Sequence, residues 1–355
     1  MKRFAWVLVL AVTAGCGGAP EQNQQQVQTA PSSAAAKAVV KADPGLDAVV
    51  SADATVDKVA GDFAFLEGPA WVRQGSSGYL LFSDLPSNSI RKWSPDGSAS
   101  VFLQPSGFTG ADASDVGAEI DTGKGKVYVM GSNGITLDSQ NRVVFAAHGD
   151  RAIIRLEPDG KRTVLANRYQ GKRLNSPNDL VYKSNGTLYF TDPPYGLRRA
   201  HDDPKKELPY QGVFMLKGGR LQVLTQDMTS PNGVVLSPDE KYLYVNDSAK
   251  GIVMRYEVGA DDTLANGQVF ADMTADKSPG VPDGMKIDNN GNLYTTGPGG
   301  IWIFSPEGKH LGTIRTPESG ANLAFGDADG KGLYITARTT LYRIRLNAAG
   351  TPPGK

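Results

Sequence analysis

Residues 230–239, SPNGVVLSPD, place an amide side chain, Asn232, at the head of a short apolar strand that ends in a turn. Five other stretches share this arrangement of an oxygen-bearing residue followed by a short apolar run. The six head residues are Glu67, Asn133, Asn178, Asn232, Asp283 and Asn322. Neighbouring heads lie about 40–65 residues apart, so each marks a whole structural unit. Repeats of this length, with about four strands each, are typical of a β-propeller.

Each unit follows the same plan of short strands joined by tight turns. In the second unit, the Asp159-Gly160 pair predicts a hairpin between the third and fourth strands. We therefore predict an all-β fold, a six-bladed β-propeller over residues 55–347. The sixth unit shows only three strands, and residues 54–59 are expected to supply its outer strand and close the ring. A β-sandwich or two β-domains is the alternative, but neither explains the sixfold plan.

The composition argues against several classes of function. The 355 residues include 37 basic and 37 acidic ones without a long run of Lys or Arg, so we expect no nucleic-acid partner. The one cysteine leaves the folded part without a disulfide, a thiol nucleophile or a cysteine-based zinc site. The HExxH pattern of metalloproteases and the GxSxG nucleophile elbow are both absent from the sequence.

The N-terminus predicts export. Lys2 and Arg3 precede an apolar run over residues 4–14 that is too short to span a bilayer. Residues 12–16, VTAGC, resemble the lipobox of a bacterial lipoprotein, with residues 1–15 as the signal peptide and Cys16 as the lipidated residue. An ordinary secretion signal is the alternative. We expect an exported lipoprotein on the periplasmic side of the envelope, bound to a membrane only through Cys16.

The segments that flank the propeller differ from it in composition. Residues 16–54 are rich in Gln, Ala, Ser and Val, which predicts a flexible tether between the anchor and the first blade. Residues 348–355 are expected to form a short C-terminal tail. The sequence predicts no oligomeric state.

If the six heads lie at the same end of the innermost strands, their side chains point at one axis. Glu67 and Asp283 then contribute carboxylates, and Asn178 and Asn232 contribute amide oxygens, which together suit Ca²⁺. The lack of His and Cys in this set argues against zinc, whereas other divalent cations remain open. The alternative is that the Asn-Gly and Asp-Gly pairs only form turns.

The same strand directions place the turns between second and third strands on the face that carries the heads. Two long insertions, residues 104–130 and 193–211, fall on this face, and long loops on one face usually build a site. No role is assigned to His201 or His310. The predicted substrate-binding residues are Asn133, His148, Asp192, Tyr195 and Asp247.

These stretches resemble the SMP-30/gluconolactonase/LRE-like family of six-bladed calcium propellers, also called regucalcin-like, and most of all its bacterial gluconolactonase branch. The resemblance covers residues 55–346. The segments that carry it are EGPAW at Glu67, AAHGDR at His148, SPNDLVY at Asn178, YFTDPPYG at Asp192, SPNGVVLSPD at Asn232 and PDGMKID at Asp283.

The resemblance implies that Glu67, Asn178, Asn232 and Asp283 ligate calcium and that the chain hydrolyses a sugar lactone such as glucono-1,5-lactone. In animal relatives an arginine two residues before the Asn178 position binds substrate. Here that position is Ser176, so those sugar contacts are not expected.

The expected mechanism combines a metal that polarises the lactone carbonyl with a carboxylate that activates water. Asp283 is the predicted base, and Asp179 and His148 are the alternatives. Two other functions remain open at this point. One is phosphotriester hydrolysis at the same metal site, and the other is a non-catalytic propeller that binds a partner.

Overall fold

Short strands, most of which pair with their sequence neighbours, build the described part of this chain. The computed structural model describes residues 37–354. The strands of the N-terminal segment and the first three blades are β1 (Val39–Lys41), β2 (Asp57–Ala60), β3 (Leu66–Gln74), β4 (Ser77–Asp84), β5 (Ser89–Trp93), β6 (Ala99–Leu103), β7 (Glu119–Asp121), β8 (Lys126–Tyr128), β9 (Ser132–Leu137), β10 (Val143–Ala147), β11 (Ala152–Leu156), β12 (Arg162–Ala166), β13 (Arg168–Tyr169), β14 (Lys172–Arg173), β15 (Leu180–Tyr182), β16 (Leu188–Asp192), β17 (Gln211–Lys217) and β18 (Arg220–Met228).

The last three blades follow the same order. Their strands are β19 (Pro231–Leu236), β20 (Tyr242–Asp247), β21 (Ile252–Val258), β22 (Leu264–Asp272), β23 (Met285–Ile287), β24 (Leu293–Gly297), β25 (Gly300–Phe304), β26 (His310–Ile314), β27 (Asn322–Gly326), β28 (Gly332–Ala337) and β29 (Thr340–Arg345). Two short 3-10 helices, Pro44–Ala48 and Ala200–Asp202, are also present. No helix within residues 37–354 is long and apolar enough to cross a membrane.

The antiparallel sheets form six blades around one axis, which confirms the predicted propeller. From inner to outer strand the blades are β3–β6, β9–β12, β15–β18, β19–β22, β23–β26 and β27–β29. Each innermost strand contacts the innermost strand of the next blade, and β27 contacts β3, so the ring is closed. Because central strands are covered on both faces, β9 and β10 are buried along their whole length.

The N-terminal segment closes the sixth blade as predicted. Strand β2 pairs with β29, with Asp57 opposite Arg343, and becomes the fourth strand of that sheet. The strand lies a few residues later than the predicted range of 54–59. This pairing joins the two ends of the propeller and covers the edge of β29.

The predicted tether over residues 16–54 is wrong for its second half. Strand β1 pairs with β26, with Val39 opposite Ile314, and adds a fifth strand to the fifth blade. The helix Pro44–Ala48 follows, and Leu46 is 1% exposed against the same core. Apolar burial therefore makes this segment part of the propeller. The predicted signal peptide, residues 1–15, and Cys16 lie outside the described residues.

The C-terminal tail predicted over residues 348–355 is also part of the fold. Backbone bonds join Asn289 to Ala349 and Thr351 to Ile287, and Gly350 packs against Phe325. Residues 351–354 then line the lower end of the central channel. The tail therefore closes the face of the propeller opposite the head residues.

Candidate metal and substrate site

The head residues converge at the upper end of the channel. Glu67 and Asp283 lie close enough for the charge of Glu67 to add to the rise that burial causes in the pKa of Asp283, and the side chain of Asn232 also lies near Asp283. Asn178 Nδ2 donates to Asn232 Oδ1 at 2.7 Å. Glu67, Asn178 and Asn232 are at most 6% exposed. The four predicted ligands, from the first blade to the fifth, therefore lie near one another at the axis.

Glycines after the heads allow the innermost strands to approach this closely. A Cβ at Gly284 would lie 2.1 Å from Cγ of Asn322, and one at Gly233 would lie 2.2 Å from the carbonyl oxygen of Asp283. Only Gly68 among the glycines that follow heads has a positive φ, of 52°. Close approach between blades, rather than turn formation, therefore explains the repeated Asn-Gly and Asp-Gly pairs.

Polar side chains on the second strand of a blade fix the head of the next blade. Ser83 donates to the carbonyl of Asn133 at 2.7 Å, and Thr191 donates to the carbonyl of Asn232 at 2.7 Å. Asn246 Nδ2 donates to the carbonyl of Asp283 at 2.6 Å. These bonds hold the main chain at each head, so the site is built on rigid strands.

The two head carboxylates are costly to bury together. Burial raises the pKa of Glu67 to about 7, and Asp179 adds to the rise. Burial, followed by the charges of Glu67 and Asp179, raises the pKa of Asp283 well above its ordinary value. Two neighbouring carboxylates that are shielded from water are both ionised only when a cation balances their charge; otherwise one of them holds a proton. The electrostatics therefore favour a cation site.

Asp179 adds a third carboxylate beside the ring. Its Oδ1 accepts a bond from the backbone of Leu180 at 2.9 Å, whereas its buried Oδ2 has no hydrogen-bond partner in the described chain. The nearest cation is Lys286, whose Nζ lies 4.0 Å from Oδ2. The sequence pattern did not single out Lys286, because a lysine inside a strand usually points to solvent.

The residues present fit a hard divalent cation. Asn133 Oδ1 and Asp179 Oδ2 are buried oxygens without partners among the described residues, and the Glu67 and Asp283 carboxylates meet nearby. Within residues 37–354 no group of three His, Cys, Asp or Glu side chains is arranged to hold a metal. A divalent cation held here would be bound by carboxylate and amide oxygens together, which is the donor set that Ca²⁺ prefers.

His148 supports the segment before Asn178. Its ring is fully buried, and Nδ1 is 3.1 Å from the carbonyl oxygen of Pro177, to which it donates. Burial lowers the pKa of His148 to about 4, so the imidazole is neutral at pH 7. Its Nε2 has no partner within the described part of the chain.

The substrate role predicted for Asp192 and Asp247 is not supported by their contacts. Both side chains are fully buried and accept hydrogen bonds from backbone amides. Asp192 Oδ2 accepts from the backbone of Asn175 at 2.7 Å, and burial raises its pKa to about 7. Asp247 accepts from the backbones of Thr229 and Ser230 at 2.8 and 3.1 Å. Each carboxylate therefore fixes the segment that leads to the head residue of its own blade.

Tyr195, a predicted substrate-binding residue, lies near Asp283. Its hydroxyl is within reach of the Ser230 and Ser248 hydroxyls and close enough to Asp283 to be affected by that charge. Ser248 accepts from Asn232 Nδ2 at 3.1 Å, so these hydroxyls continue the ring of ligands outward. His201, to which the sequence assigned no role, lies beside Tyr195 and is 3.4 Å from Ser230 Oγ.

The two long insertions meet above this site. Backbone bonds of 2.8 Å join Gly117 to Gly196 and Ala118 to Tyr195, and Arg338 of the sixth blade bonds Asp121 of the first insertion at 2.7 Å. Ser176 Oγ donates to the carbonyl of Pro193 and accepts from Gly196, both at 2.7 Å. Ser176, which stands where animal relatives have an arginine, therefore holds the second insertion in place.

The lower channel is a separate, mainly apolar cavity of about 70 Å³. It begins just below the heads and is closed by residues 351–354. Its apolar walls include Leu180, Val234 and Phe325. The head carboxylates and amides therefore lie at the upper end of the channel, above this cavity.

Comparison with known proteins gives the same picture over most of the chain. Residues 65–339 match the SMP-30/gluconolactonase/LRE-like region. A gluconolactonase of Zymomonas mobilis is 38% identical over 322 residues, which cover 88% of this chain and 87% of that protein.

Solved structures of related propellers superimpose on the chain. A gluconolactonase of Xanthomonas campestris has a TM-score of 0.72 at 31% identity, with 87% of this chain and 94% of that chain covered. The calcium-binding protein regucalcin of Agrobacterium tumefaciens has a TM-score of 0.66 at 18% identity, with 85% and 97% covered, and at this identity it supports the fold alone.

Proposed function

Because the chain belongs to the SMP-30/gluconolactonase/LRE-like family, we propose that it hydrolyses a sugar lactone such as glucono-1,5-lactone to the aldonic acid. Relatives similar over most of their length are gluconolactonases, which are lactone hydrolases. The observation that carries the proposal is the convergence of Glu67, Asn178, Asn232 and Asp283 at the axis. A propeller that only binds a partner has no need of two buried carboxylates close together.

Calcium is the proposed cofactor, with Glu67, Asn178, Asn232 and Asp283 as its protein ligands. Two carboxylates and two amide oxygens match its preference for hard oxygen donors. A bound divalent cation supplies Lewis-acid polarisation of a carbonyl oxygen.

Asp283 is the proposed acceptor of the proton from the attacking water. Of the three candidates it is the one near the Tyr195 hydroxyl, on the side of the site that the upper loops cover. Asp179 faces Lys286 instead, and the His148 ring is fully buried against Pro177. Tyr195 is the proposed surface for the sugar ring, and the orphaned Asn133 oxygen is a further polar contact.

A substrate panel tests the proposed reaction. Aldonolactones, acyl lactones and phosphotriesters should be assayed with calcium and after complete removal of metal. We expect aldonolactones to be turned over fastest, with activity lost on chelation and restored by calcium. Fast turnover of phosphotriesters alone would support the second reading of the site, and lactonase activity in a metal-free sample would rule out the metal mechanism.

Export and anchoring form a separate proposal. Lys2, Arg3, the apolar run and VTAGC support lipidation of Cys16 and a position on the periplasmic side of the envelope. Cys16→Ser should move the protein from the membrane fraction to the soluble fraction while lactonase activity stays unchanged. Retention of the variant in the membrane fraction would contradict the anchor.

A further inference from the structure

A ring of six side chains lies just below the head residues. Each member is the third residue after a head, and all six line the channel. The six are Ala70, Thr136, Val181, Val235, Lys286 and Phe325. Lys286 is the only charged member of this ring, although an ammonium group in a largely apolar channel carries a desolvation cost.

A second exception to the sixfold pattern lies beside it. The residues that follow the heads are Gly68, Gly134, Asp179, Gly233, Gly284 and Leu323, so Asp179 is the only charged one. The two exceptions meet, since Lys286 Nζ is 4.0 Å from Asp179 Oδ2. Lys286 Nζ also donates to the carbonyl of Met285 at 2.9 Å, which fixes the ammonium below the ligands.

The charges near the axis can be counted from these contacts. Glu67, Asp179 and Asp283 influence one another, and together they carry three negative charges when ionised. Lys286 contributes one positive charge, and its field acts on Glu67 as well as on Asp179. The side chains around the site then sum to a charge of −2, which a single divalent cation neutralises.

We propose that Lys286 is a built-in cation that sets the net charge of the axial site and thereby its preference for a divalent ion over a trivalent one. Lys286 is a positioning residue: it lies 4.0 Å from Asp179 and balances the charge of that carboxylate without touching the substrate. The inference rests on the proposed metal site, because without that site the charge balance has no ligand to select.

The test compares calcium with terbium, a trivalent ion that also prefers oxygen ligands. Binding of each ion is measured by titration calorimetry on the full chain at about pH 8, in wild type, Lys286→Met and Lys286→Arg. Coulomb energy scales with the charge of the ion. If Lys286→Met tightens calcium about tenfold, terbium should therefore tighten about thirtyfold, whereas Lys286→Arg should resemble wild type.

A merely structural lysine would give a different pattern. Its loss would weaken both ions, or change both by the same factor, and either result would overturn the proposal. Lys161→Met, on an exposed outer hairpin of the second blade, serves as the matched control and should change neither affinity. In chelator, Lys286→Met should melt below wild type, because the three carboxylates lose their internal counter-charge.

A second experiment removes the negative charge of Asp179 instead, so that the proposal remains testable if Lys286→Met does not fold. Asp179→Asn should shift the preference away from terbium, and the double variant Asp179→Asn/Lys286→Met should return it to the wild-type ratio. A double variant that keeps either single shift would also refute charge balance. If wild type binds neither ion, the proposed metal site itself is wrong. If wild type binds both ions and the variants keep the same selectivity, the metal site stands and only the role of Lys286 is wrong.

Discussion

The upper and lower halves of the central channel are built from the same six strands but differ in chemistry. At the upper end, the heads bring carboxylates and amides close together, and two oxygens there, Asn133 Oδ1 and Asp179 Oδ2, lack partners within residues 37–354. Below them the walls become mostly hydrocarbon, and the C-terminal residues 351–354 close the cavity. The change occurs within about three residues along each strand.

This difference separates function from stability. The upper half keeps unfavourable electrostatics, which a ligand can relieve, whereas the lower half buries apolar surface and stabilises the ring. Substitutions in the upper half should therefore affect activity more than stability, and those in the lower half should do the reverse. The following experiments break or sharpen that contrast.

Asp283→Asn should have the largest effect on activity. The change keeps the shape and an oxygen ligand but removes one charge and the proposed base, so kcat/KM for glucono-1,5-lactone should fall about a thousandfold. Because a like-charged neighbour of Glu67 disappears, the metal-free variant should melt above wild type in chelator. Asp96→Asn, in an exposed turn, is the control. Near-normal turnover by Asp283→Asn would exclude the proposed site.

Phe325→Ala tests the lower half. Phe325 is 7% exposed and packs edge-to-face on Tyr294 with ring centroids 5.2 Å apart. Its truncation should lower the free energy of unfolding by about 3–5 kcal/mol, as measured by denaturant titration, while kcat per folded molecule stays close to wild type. Val269→Ala, at a site 55% exposed, should cost little. A large loss of kcat in Phe325→Ala would show that the two halves are not separable.

Gly284→Ala tests the close approach that joins the halves. The added Cβ would lie 2.1 Å from Asn322 Cγ, so the innermost strands have to move apart. We expect a loss of about 2–3 kcal/mol in stability together with weaker calcium binding. Gly259→Ala meets only the Asp261 side chain within 3.4 Å and should be tolerated in both measurements. Wild-type calcium affinity in Gly284→Ala would show that blade spacing does not control the site.

The pH dependence of stability should give the smallest effect. The pKa values of Glu67 and Asp192 are both about 7 in the folded chain, above their ordinary values of 4.5 and 3.8, because of burial. The folded state then holds protons that the unfolded state has lost, so stability in chelator should fall as pH rises from about 6.5 to 7.5 and should level off above about pH 8. His148, with its pKa lowered to about 4, is neutral throughout this range.

Variants divide this pH effect between the two acids. Glu67→Gln should reduce the slope of melting temperature against pH in chelator, and calcium should reduce it in wild type by binding the ionised carboxylate. The share due to Asp192 should persist in calcium, because that carboxylate holds backbone and not metal. A slope that calcium leaves unchanged would place Glu67 outside the cation site.

Sequence patterns predicted the fold and the approach of the head residues to one axis because both depend on a sixfold repeat. A head residue and an apolar strand recur in every blade, so register alone places Asn178 and Asn232 on the axis. Closure by β2 was likewise predictable, since the sixth unit visibly lacks a strand. Long-range pairing of Val39 with Ile314 was not, because a short apolar run in an Ala- and Ser-rich segment gives no periodic signal.

Residues outside the repeat were harder to interpret. Asp192 and Asp247 stand at loop positions typical of substrate contacts, yet their carboxylates bind backbone amides, and spacing cannot distinguish the two uses. Lys286 and His201 lie near the site through tertiary contacts alone. Deviations from the repeat, such as Asp179 and Lys286, were the available signal, and comparison of equivalent positions across blades would have found them.

A crystal structure of the protein grown with calcium tests the central claim most directly. The account predicts one ion on the axis, identified by anomalous scattering, at about 2.3–2.6 Å from oxygens of Glu67, Asn178, Asn232 and Asp283. An upper channel that stays empty at saturating calcium, or an ion bound away from these four side chains, would contradict it.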